Sequence, residues 1–451
     1  MYLNDAPASL NPGRLLAYAV AHRRAVSTSV LNQAVSSATN FALALVLVRV
    51  LSAAAYGSYG LGIAVCYLYA GLGNSMLLLQ MVVHTPDKPE EERLPYAVRI
   101  FVAVGMFAVG TLVLTALGAY TLNVLLPGVH GHATFAITVA TASVCYFVKD
   151  YFVRQAYLVR AETRALAISC SIALSLAALI ALALAWDIAI TAERALLVFA
   201  ASQLAGAAMG FALARLPLQS FRWSRMSADL MACWSDGRWA TAHSLVGSAQ
   251  SQAYVYLCFI VLGAAGAGRA TAARLLVSPF LLLTPAINQM TIPRLAAMSA
   301  RDPRGMVRKG AAVTVVLLGL ALLYSTVLLV AAGSLVPAIL GPKYRDMRGP
   351  VAAWCVVLPA MLMRDGATTL FQAMRRFRAL TSVNAISAAV SLMSVLSLMR
   401  VWGVTGAILG GAAGDLTQAA QLWGSLRGLT PPLGGRVAPG LTEAVKTAKS
   451  Q

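Results

Sequence analysis

The chain carries little charge for its length. Asp, Glu, Lys and Arg make up 11% of its 451 residues, whereas soluble domains contain about 25%. A water-exposed surface has to be covered by groups that stay hydrated, so this composition excludes a soluble globular enzyme. The hydrophobic share of 59% excludes a disordered chain as well. The composition therefore predicts a protein that crosses a membrane many times.

Motifs for metal, nucleotide and redox chemistry are also missing. The six cysteines form no Cys-x-x-Cys pair, and the five histidines are scattered along the chain. There is no glycine-rich loop followed by Lys-Ser or Lys-Thr that would hold the phosphates of ATP. We therefore expect no metal site, no cofactor and no catalytic residue, and the chain is not expected to be an enzyme.

Twelve apolar stretches are long enough to span a bilayer as helices, which takes about 20 residues each. They cover residues 29–50, 59–83, 97–126, 133–151, 165–186, 193–214, 239–262, 270–292, 311–338, 349–373, 380–400 and 404–426. The predicted fold is an all-α polytopic membrane protein. A long connection at 216–238 separates an N-lobe at 28–215 from a C-lobe at 239–427. Residues 1–27 are predicted to be a cytoplasmic segment with an interfacial helix, and residues 428–451 a cytoplasmic tail.

Basic residues outnumber acidic residues by 35 to 16 and are distributed unevenly between the loops. Connections on the side of the N-terminus hold 26 of the Lys and Arg residues, and those on the opposite side hold 7. Because the cytoplasmic loops of membrane proteins carry the excess of positive charge, both termini are predicted to be cytoplasmic. The net charge of +19 thus reports orientation, and we expect no nucleic-acid partner.

Two pairs of stretches repeat at nearly the same offset. RVLSAAAYGSYG (49–60) resembles IVLGAAGAGRAT (260–271), and RQAYLVRAETRAL (154–166) resembles FQAMRRFRAL (371–380). The identical pairs at offset 211 are Val50/Val261, Leu51/Leu262, Ala53/Ala264, Ala54/Ala265 and Gly57/Gly268. The offset covers six predicted spans, an even number, so the two halves share one topology about an axis along the membrane normal.

Polar residues inside a span are costly and therefore informative. The first span carries amides and hydroxyls every four residues, which places them on one helix face, and the repeat puts a second polar stripe on span seven. The candidate cavity-lining residues on these stripes are Asn32, Gln33, Ser36, Asn40, His243 and Gln252. We interpret the stripes as two walls of one hydrated cavity; the alternative is hydrogen bonding between helices.

Three arginines are candidate contacts for an anionic substrate, because a guanidinium forms paired hydrogen bonds to phosphate oxygens. Arg274 lies early in span eight, with Asn288 further along roughly the same face, and Arg364 lies deep in span ten. Arg49 ends span one at the predicted outer rim. For Arg274, extension of the side chain towards the membrane surface is the alternative interpretation.

Two carboxylates lie inside predicted spans, Asp365 in span ten and Asp415 in span twelve. Each could neutralise an arginine of another span or carry a coupling proton or cation. A purely structural ion pair is the alternative for both.

The stretch NQAVSSATNFALALVLVRVLSAAAYGSYGLGIAVCYLY (32–69) resembles the opening of bacterial polysaccharide (lipid-linked oligosaccharide) flippases, the Wzx-like family of the MOP exporter superfamily. The residues that carry this resemblance after the polar first helix are Arg49, Leu51, Gly57, Tyr59 and Gly60. VLGAAGAGRATAARLLVSP (261–279) resembles the counterpart in the second repeat, with Ala270 where an aromatic residue is usual. The Gln-Ala…Arg elements at 154–164 and 372–378 resemble the cytoplasmic turns of the family. The family's acidic residue after the Arg-x-Leu turn is replaced by Ser-Ala-Ala-Ala at 52–55.

The resemblance implies two six-helix lobes around a central cavity that opens alternately to the two sides. The implied substrate is a polyprenyl-diphosphate-linked, anionic oligosaccharide that crosses the bacterial inner membrane for surface or exopolysaccharide synthesis. Implied partners are this lipid-linked oligosaccharide, the membrane lipids, and a polysaccharide polymerase with its export machinery.

Two other functions compete with this interpretation. A MATE-type cation-coupled antiporter of small molecules would also have twelve helices in two lobes, but it predicts an acidic site in the first lobe, and span one has no carboxylate. A membrane polysaccharide polymerase or ligase would need a large outer loop, and the longest predicted one covers only 334–348. Lys343, Arg345 and Arg348 in that loop form a small basic cluster.

Overall fold

The computed structural model describes residues 23–125, 130–281, 302–374 and 376–427, together with the single positions 284, 287, 291, 295 and 298. Most of the predicted N-terminal segment, the predicted tail and the candidate Asn288 lie outside the described residues. Every regular element in the described part of the chain is a helix, which confirms the predicted all-α fold.

Eleven α-helices follow one another in the described part of the chain. They are α1 (Arg23–Val50), α2 (Ala53–Gly73), α3 (Leu79–His84), α4 (Glu90–Leu125), α5 (His130–Leu158), α6 (Glu162–Ala185), α7 (Ala192–Ala214), α8 (Trp223–Leu281), α9 (Pro303–Leu340), α10 (Arg348–Ala373) and α11 (Phe377–Arg427). A single π-helical stretch, Asn74–Leu78, joins α2 to α3 in one continuous rod. Short 3₁₀ turns at Leu218–Ser220 and Pro342–Tyr344 precede α8 and α10.

Ten helices of the described chain, not twelve, are long and apolar enough to cross a membrane. The difference arises because α8 and α11 contain 59 and 51 residues, which is more than twice the length of one crossing. Each bends at a glycine with positive φ, Gly263 (φ 74°) and Gly403 (φ 56°). Side chains with a Cβ rarely adopt this backbone conformation, so glycine permits the sharp turn. Each of the two elements is a pair of helices joined across its kink, and the kinks fall in the predicted gaps between 262 and 270 and between 400 and 404.

The bend of α11 is an antiparallel hairpin held by small residues. An ideal Cβ on Gly406 would lie 1.9 Å from the carbonyl oxygen of Leu398, and one on Gly410 would lie 2.4 Å from the Cα of Val395. The two arms of α11 therefore pack backbone against backbone, which only residues without a side chain allow.

The helices pack in two groups, which we call the N-lobe (α1–α7) and the C-lobe (α8–α11). Within the N-lobe α5 packs on α4 and α7, and within the C-lobe α10 packs on α9 and α11. One hydrophobic cluster contains residues from both lobes, among them Leu51 and Tyr56 from the first and Tyr254 and Tyr344 from the second. The exact lobe boundaries at 28–215 and 239–427 stay a prediction.

The lobes meet through repeat-related residues at one end of the molecule, which we call the closed end (49–57, 260–268 and 338–347). A Cβ on Gly57 would lie 1.8 Å from the carbonyl oxygen of Ala264, and a Cβ on Gly268 would lie 1.9 Å from that of Ala53. Ala53 and Gly57 are the repeat partners of Ala264 and Gly268. The same contact is thus made twice, with the roles of the two lobes exchanged. This reciprocity is characteristic of two elements related by a two-fold axis.

The opening turns of α8 pack against the N-lobe at the opposite end. Arg99, 3% exposed, donates to Asp229 at 2.5 Å and lies 3.6 Å from Glu92, and Lys88 lies 3.3 Å from Asp229. Glu92 also pairs with Arg225. Glu92, in the acidic run 90–92 that begins α4, thus joins a partly buried ion cluster that attaches the predicted linker to the N-lobe.

Candidate substrate cavity

The polar stripe of α1 faces a cavity of about 690 Å³ inside the N-lobe, which we call the polar chamber. Its lining residues come from α1, α2, α5, α6 and α7, and they are Ser29, Asn32, Gln33, Ser36, Ser37, Thr39, Asn40, Tyr67, Tyr146, Lys149, Asp150, Val153, Tyr157, Ser169, Ile172 and Gln203. The four candidates from the first span lie together here. The sequence expectation of a polar cavity wall on this helix matches their placement.

Hydrogen bonds fix part of the α1 wall of the chamber but leave one acceptor, the Oδ1 of Asn32, without a partner in the described chain. Asn32 donates from Nδ2 to the hydroxyl of Tyr157 at 2.9 Å, whereas its buried Oδ1 has no partner among the described residues. Gln33 donates to the hydroxyl of Ser37 at 3.2 Å. A buried amide oxygen without a partner is costly, so Asn32 is prepared to accept a hydrogen bond from a water or a ligand.

Two basic residues approach one carboxylate beside the chamber. Lys149 lies 3.4 Å from the carboxylate of Asp150 and 4.0 Å above the ring of Tyr146. Arg154, one turn further on α5, approaches Asp150 at 3.5 Å. Lys149 and Asp150 both lie on α5, which continues two turns further to Leu158.

A second cavity of about 360 Å³ lies between the lobes, and we call it the central cavity. Its walls are Leu43, Ala44, Tyr56, Tyr59, Gly60, Ile63, Ala64, Phe199, Gln252, Tyr254, Val255, Thr271, Arg274, Leu275, Ser278 and Leu281, and it shares Asn40 and Tyr67 with the polar chamber. The predicted residue Gln252 of the second stripe lies here. Two lining residues in common make the two cavities neighbouring compartments.

Arg274 is the single charged residue on the wall of the central cavity as described. Its Nη1 donates to the hydroxyl of Tyr254 at 3.2 Å, and its guanidinium lies 5.7 Å from the centre of the Trp354 ring and 6.0 Å from that of Tyr254. No carboxylate in the described chain lies within ion-pair distance of it. Aromatic faces stabilise a cation only modestly, so no group in direct contact with Arg274 neutralises its charge in the described chain.

Arg364 has the opposite environment. Its guanidinium donates to Asp415 at 2.5 Å and to Asp365 at 2.8 and 3.0 Å. Arg364 and Arg274 both reach a small cavity of about 30 Å³ in the C-lobe, so the structure brings the two predicted arginines close together. Arg364 is neutralised by the two carboxylates, however. This arrangement matches the alternative named for Asp365 and Asp415 in the sequence analysis, a structural ion pair.

A chain of hydrogen bonds extends from this ion cluster through the C-lobe. Gln250 donates to Asp415 at 3.4 Å and to Gln418 at 3.5 Å, and Gln418 donates to Asn384. Asn384 in turn lies 3.3 Å from Nδ1 of His243. His243, a predicted cavity residue, is thereby held within the C-lobe network and does not line either of the two large cavities.

Arg49 is placed away from both cavities. It is exposed and donates to the carbonyl oxygens of Ala338 and, at 2.9 Å, of Ile339 at the end of α9. Lys343 donates back to the carbonyl oxygens of Arg49 and Leu51, and burial lowers the pKa of its ammonium. The expectation that Arg49 lines the cavity is wrong in this conformation: its guanidinium satisfies helix-end carbonyls and joins the lobes at the closed end.

Several lining residues were missed by sequence reasoning. Tyr67, Tyr254 and Trp354 look like ordinary apolar residues of their spans, since an aromatic ring gives no signal of which side faces a cavity. Gln203 offered a signal, because it is the only amide in the apolar run of α7 and is 3% exposed. A lone amide in a span marks a polar neighbour but does not identify it.

Solved structures with this architecture are membrane transporters. The inward closed conformation of the lipid II flippase MurJ matches with a TM-score of 0.68 at 9% identity, covering 88% of this chain and 87% of that one. An inward-facing multidrug resistance MATE family transporter of the MOP superfamily gives 0.66 at 14% identity, covering 89% and 100%. A mutant of the Vibrio cholerae MATE transporter VcmN gives 0.61 at 14% identity, covering 90% and 96%. The fold is that of the MATE and MurJ transporters.

The MATE and MurJ likeness concerns the fold alone, because the identities lie between 9% and 14%. The similar structures include a flippase and MATE transporters, so the shared fold does not distinguish between these two functions for this chain. No family model and no curated protein matches the sequence. The residues that line the cavities are therefore the available evidence for the class of substrate.

Proposed function

We propose that this protein moves polyprenyl-diphosphate-linked oligosaccharides across the bacterial inner membrane by alternating access, for surface or exopolysaccharide synthesis. The observation that carries the proposal is Arg274, an uncompensated cation on the wall of the central cavity. The proposed partners are the lipid-linked anionic oligosaccharide and membrane lipids, with a polysaccharide polymerase and export machinery acting after it.

A cation in the middle of a membrane protein has to be stabilised by water, aromatic rings or an anion. Arg274 has one hydroxyl and two ring faces, which leaves most of its five N–H donors available. A guanidinium binds phosphate oxygens in pairs, with both charge and geometry matched. A substrate that carries a diphosphate supplies the charge that Arg274 lacks.

The closed end fits one state of an alternating transporter. The tight Gly57–Ala264 and Gly268–Ala53 contacts and the bonds from Arg49 to the end of α9 seal the lobes together there. The loops at this end hold few basic residues, so we assign it to the outer face of the membrane. In this proposal the protein is in an inward-facing state with both termini in the cytoplasm.

Coupling to a proton or cation through Asp365 or Asp415 stays a prediction. The two carboxylates share one arginine, so the cluster carries one negative charge in excess when both are ionised. A bound proton or cation would remove that excess. Transport in proteoliposomes should lose its dependence on a pH or sodium gradient when both are changed to Asn, and unchanged gradient dependence would exclude this cluster.

A MATE-type antiporter is the second candidate, since MATE structures share the fold. The aromatic walls of the central cavity, such as Tyr56 and Tyr59, would suit a flat apolar molecule. An organic cation would be repelled by Arg274, however, and finds no carboxylate on that wall in the described chain. The sign of the charge therefore favours the anionic substrate.

Binding of undecaprenyl diphosphate to the purified chain in nanodiscs tests the proposal. We expect Arg274→Gln to weaken binding by about tenfold or more, because a charge-assisted hydrogen bond contributes about 1.5–3 kcal/mol. Arg345→Gln, which removes an exposed arginine at the closed end, is the matched control and should bind normally. Equal affinity in Arg274→Gln, or preferential binding of a lipophilic cation such as tetraphenylphosphonium by the wild type, would overturn it.

A further inference from the structure

We infer that the polar chamber in the N-lobe is a separate binding site for the saccharide part of the substrate, next to the diphosphate site at Arg274. This inference rests on the proposed function and adds to it where each part of the substrate is held. It begins from a difference between neighbouring compartments: the central cavity is largely apolar and aromatic, and the chamber beside it is largely polar.

The chemistry of the lining suits a carbohydrate. Of the sixteen residues around the chamber, only Val153 and Ile172 are aliphatic, and the others carry amides, hydroxyls, phenols or a charge. Amides and hydroxyls both donate and accept hydrogen bonds, which is what the alternating hydroxyl groups of a sugar require. An apolar drug or a lipid tail would leave these groups unpaired, at a cost for each.

The volume of the chamber supports a ligand larger than a few waters. At about 690 Å³ it falls within the usual range of small-molecule sites, about 300–1,000 Å³. Waters fill such a space in the absence of a ligand, and they can be displaced without loss only by a ligand that replaces their hydrogen bonds. The unpartnered Oδ1 of Asn32 offers an acceptor for a sugar hydroxyl.

One aromatic ring lies at the boundary of the two compartments. Tyr67 lines both cavities and is 40% exposed, which is high for an aromatic residue in the middle of a helix that packs on its neighbours. The C–H face of a pyranose ring is apolar and packs on a flat aromatic surface in preference to water. Tyr67 is placed to receive the first sugar, directly beside the diphosphate.

The anionic part of the substrate is assigned to the central cavity. Lys149 and Arg154 both approach the carboxylate of Asp150 beside the chamber, so both cations there already have an acidic partner. Arg274 on the central cavity makes no ion pair in the described chain, so the anionic part of the substrate is drawn there. In the substrate the diphosphate is bonded directly to the first sugar, and this connectivity matches two cavities that share Asn40 and Tyr67.

Binding to the full chain in nanodiscs tests the inference with two probes. The first is undecaprenyl diphosphate, and the second is the lipid-linked oligosaccharide fraction from cells of the source strain that lack this protein. The test variant is Gln33→Leu with Gln203→Leu, which keeps the side-chain size on two walls of the chamber and removes their amides. The control is Gln219→Leu, an exposed glutamine in the turn at Leu218–Ser220.

We expect the wild type to bind the saccharide-bearing probe more tightly than undecaprenyl diphosphate. The double variant should lose about 25-fold of that difference in affinity, since each of the two lost amides contributes about a factor of five. Its affinity for undecaprenyl diphosphate should stay within about twofold of the wild-type value. Retained binding of undecaprenyl diphosphate also shows that the variant is folded.

Two results would overturn the inference while the proposed function stands. One is an unchanged preference for the saccharide-bearing probe in the double variant, and the other is a wild type that binds both probes equally. Failure of the wild type to bind either probe would overturn the proposed function, and the chamber assignment with it.

Discussion

The two lobes use equivalent polar stripes in opposite ways. In the N-lobe, the stripe of α1 with Asn32 and Asn40 borders a chamber of about 690 Å³. In the C-lobe, His243 at the start of the α8 stripe is held in a network next to a cavity of only about 30 Å³, although Gln252 of the same stripe lines the central cavity. Asn32 thus borders an open cavity, whereas its repeat partner His243 lies in a bonded polar network.

The difference follows from what each lobe places opposite its stripe. In the C-lobe, Arg364 and Gln418 extend towards Asp415 and Gln250 and fill the space with bonded side chains. In the N-lobe the facing residues of α5 to α7 include Ser169 and Gln203, which leave room. A fully bonded polar network makes its surroundings rigid, whereas an open polar cavity can take up a ligand.

Replacing the two arginines should produce the largest contrast. Arg364→Gln leaves Asp415, 8% exposed, without its counter-charge and should lower the free energy of unfolding by about 3–5 kcal/mol. Arg274→Gln breaks no ion pair, so its stability should stay within about 0.5 kcal/mol of the wild type. Unfolding in detergent measures both. Adding Asp415→Asn to Arg364→Gln should restore part of the lost free energy of unfolding. If Arg364→Gln alone unfolds like the wild type, the ion cluster is hydrated and not buried.

The closed end should respond equally in the two lobes, because there the repeat is symmetric. Gly57→Ala and Gly268→Ala each introduce a Cβ within 2 Å of a carbonyl oxygen of the other lobe. Each should cost about 1–3 kcal/mol of stability through forced displacement of the helices. Gly105→Ala in α4, where a Cβ meets nothing within 4 Å, is the control and should be neutral or stabilising. A large difference between the two test variants would contradict the two-fold relation.

Two buried glutamines distinguish the network from the chamber. Gln418→Leu removes the donor to Asn384 and should cost about 1–3 kcal/mol, since buried partners lose their hydrogen bonds. Gln203→Leu, on the chamber wall, should change the stability by less than about 0.5 kcal/mol because water can compensate. Thermal unfolding of the two variants side by side measures the difference. Equal losses would mean that the chamber is as closed as the network.

Arg49→Ala should have the smallest effect. The side chain is exposed and bonds to carbonyls at the end of α9, so we expect a loss of about 0.5–1.5 kcal/mol in unfolding free energy. Its affinity for undecaprenyl diphosphate should equal that of the wild type. Weaker binding by Arg49→Ala, with normal stability, would return Arg49 to the substrate site where sequence reasoning placed it.

Much of the fold could be predicted because the membrane imposes it on the sequence. The apolar runs led to the correct helical class, and the predicted gaps between spans include the kinks at Gly263 and Gly403. The contact between the lobes at Gly57 and Gly268 was not predicted, because a repeat in the sequence does not show which of its positions touch. The ion cluster at Asp229 was missed because its partners come from segments 130 residues apart in sequence.

The sequence by itself determined that this is an apolar, multi-helical chain with a polar first span and a strong charge asymmetry. Those properties depend only on how each residue interacts with lipid or water. The tertiary structure alone decided which arginine is neutralised and which is available. Arg274 and Arg364 look alike as charges within spans, and only the positions of Asp365 and Asp415 separate them. The sign and the availability of a buried charge are properties of its neighbours, and folding brings those neighbours together from distant parts of the chain.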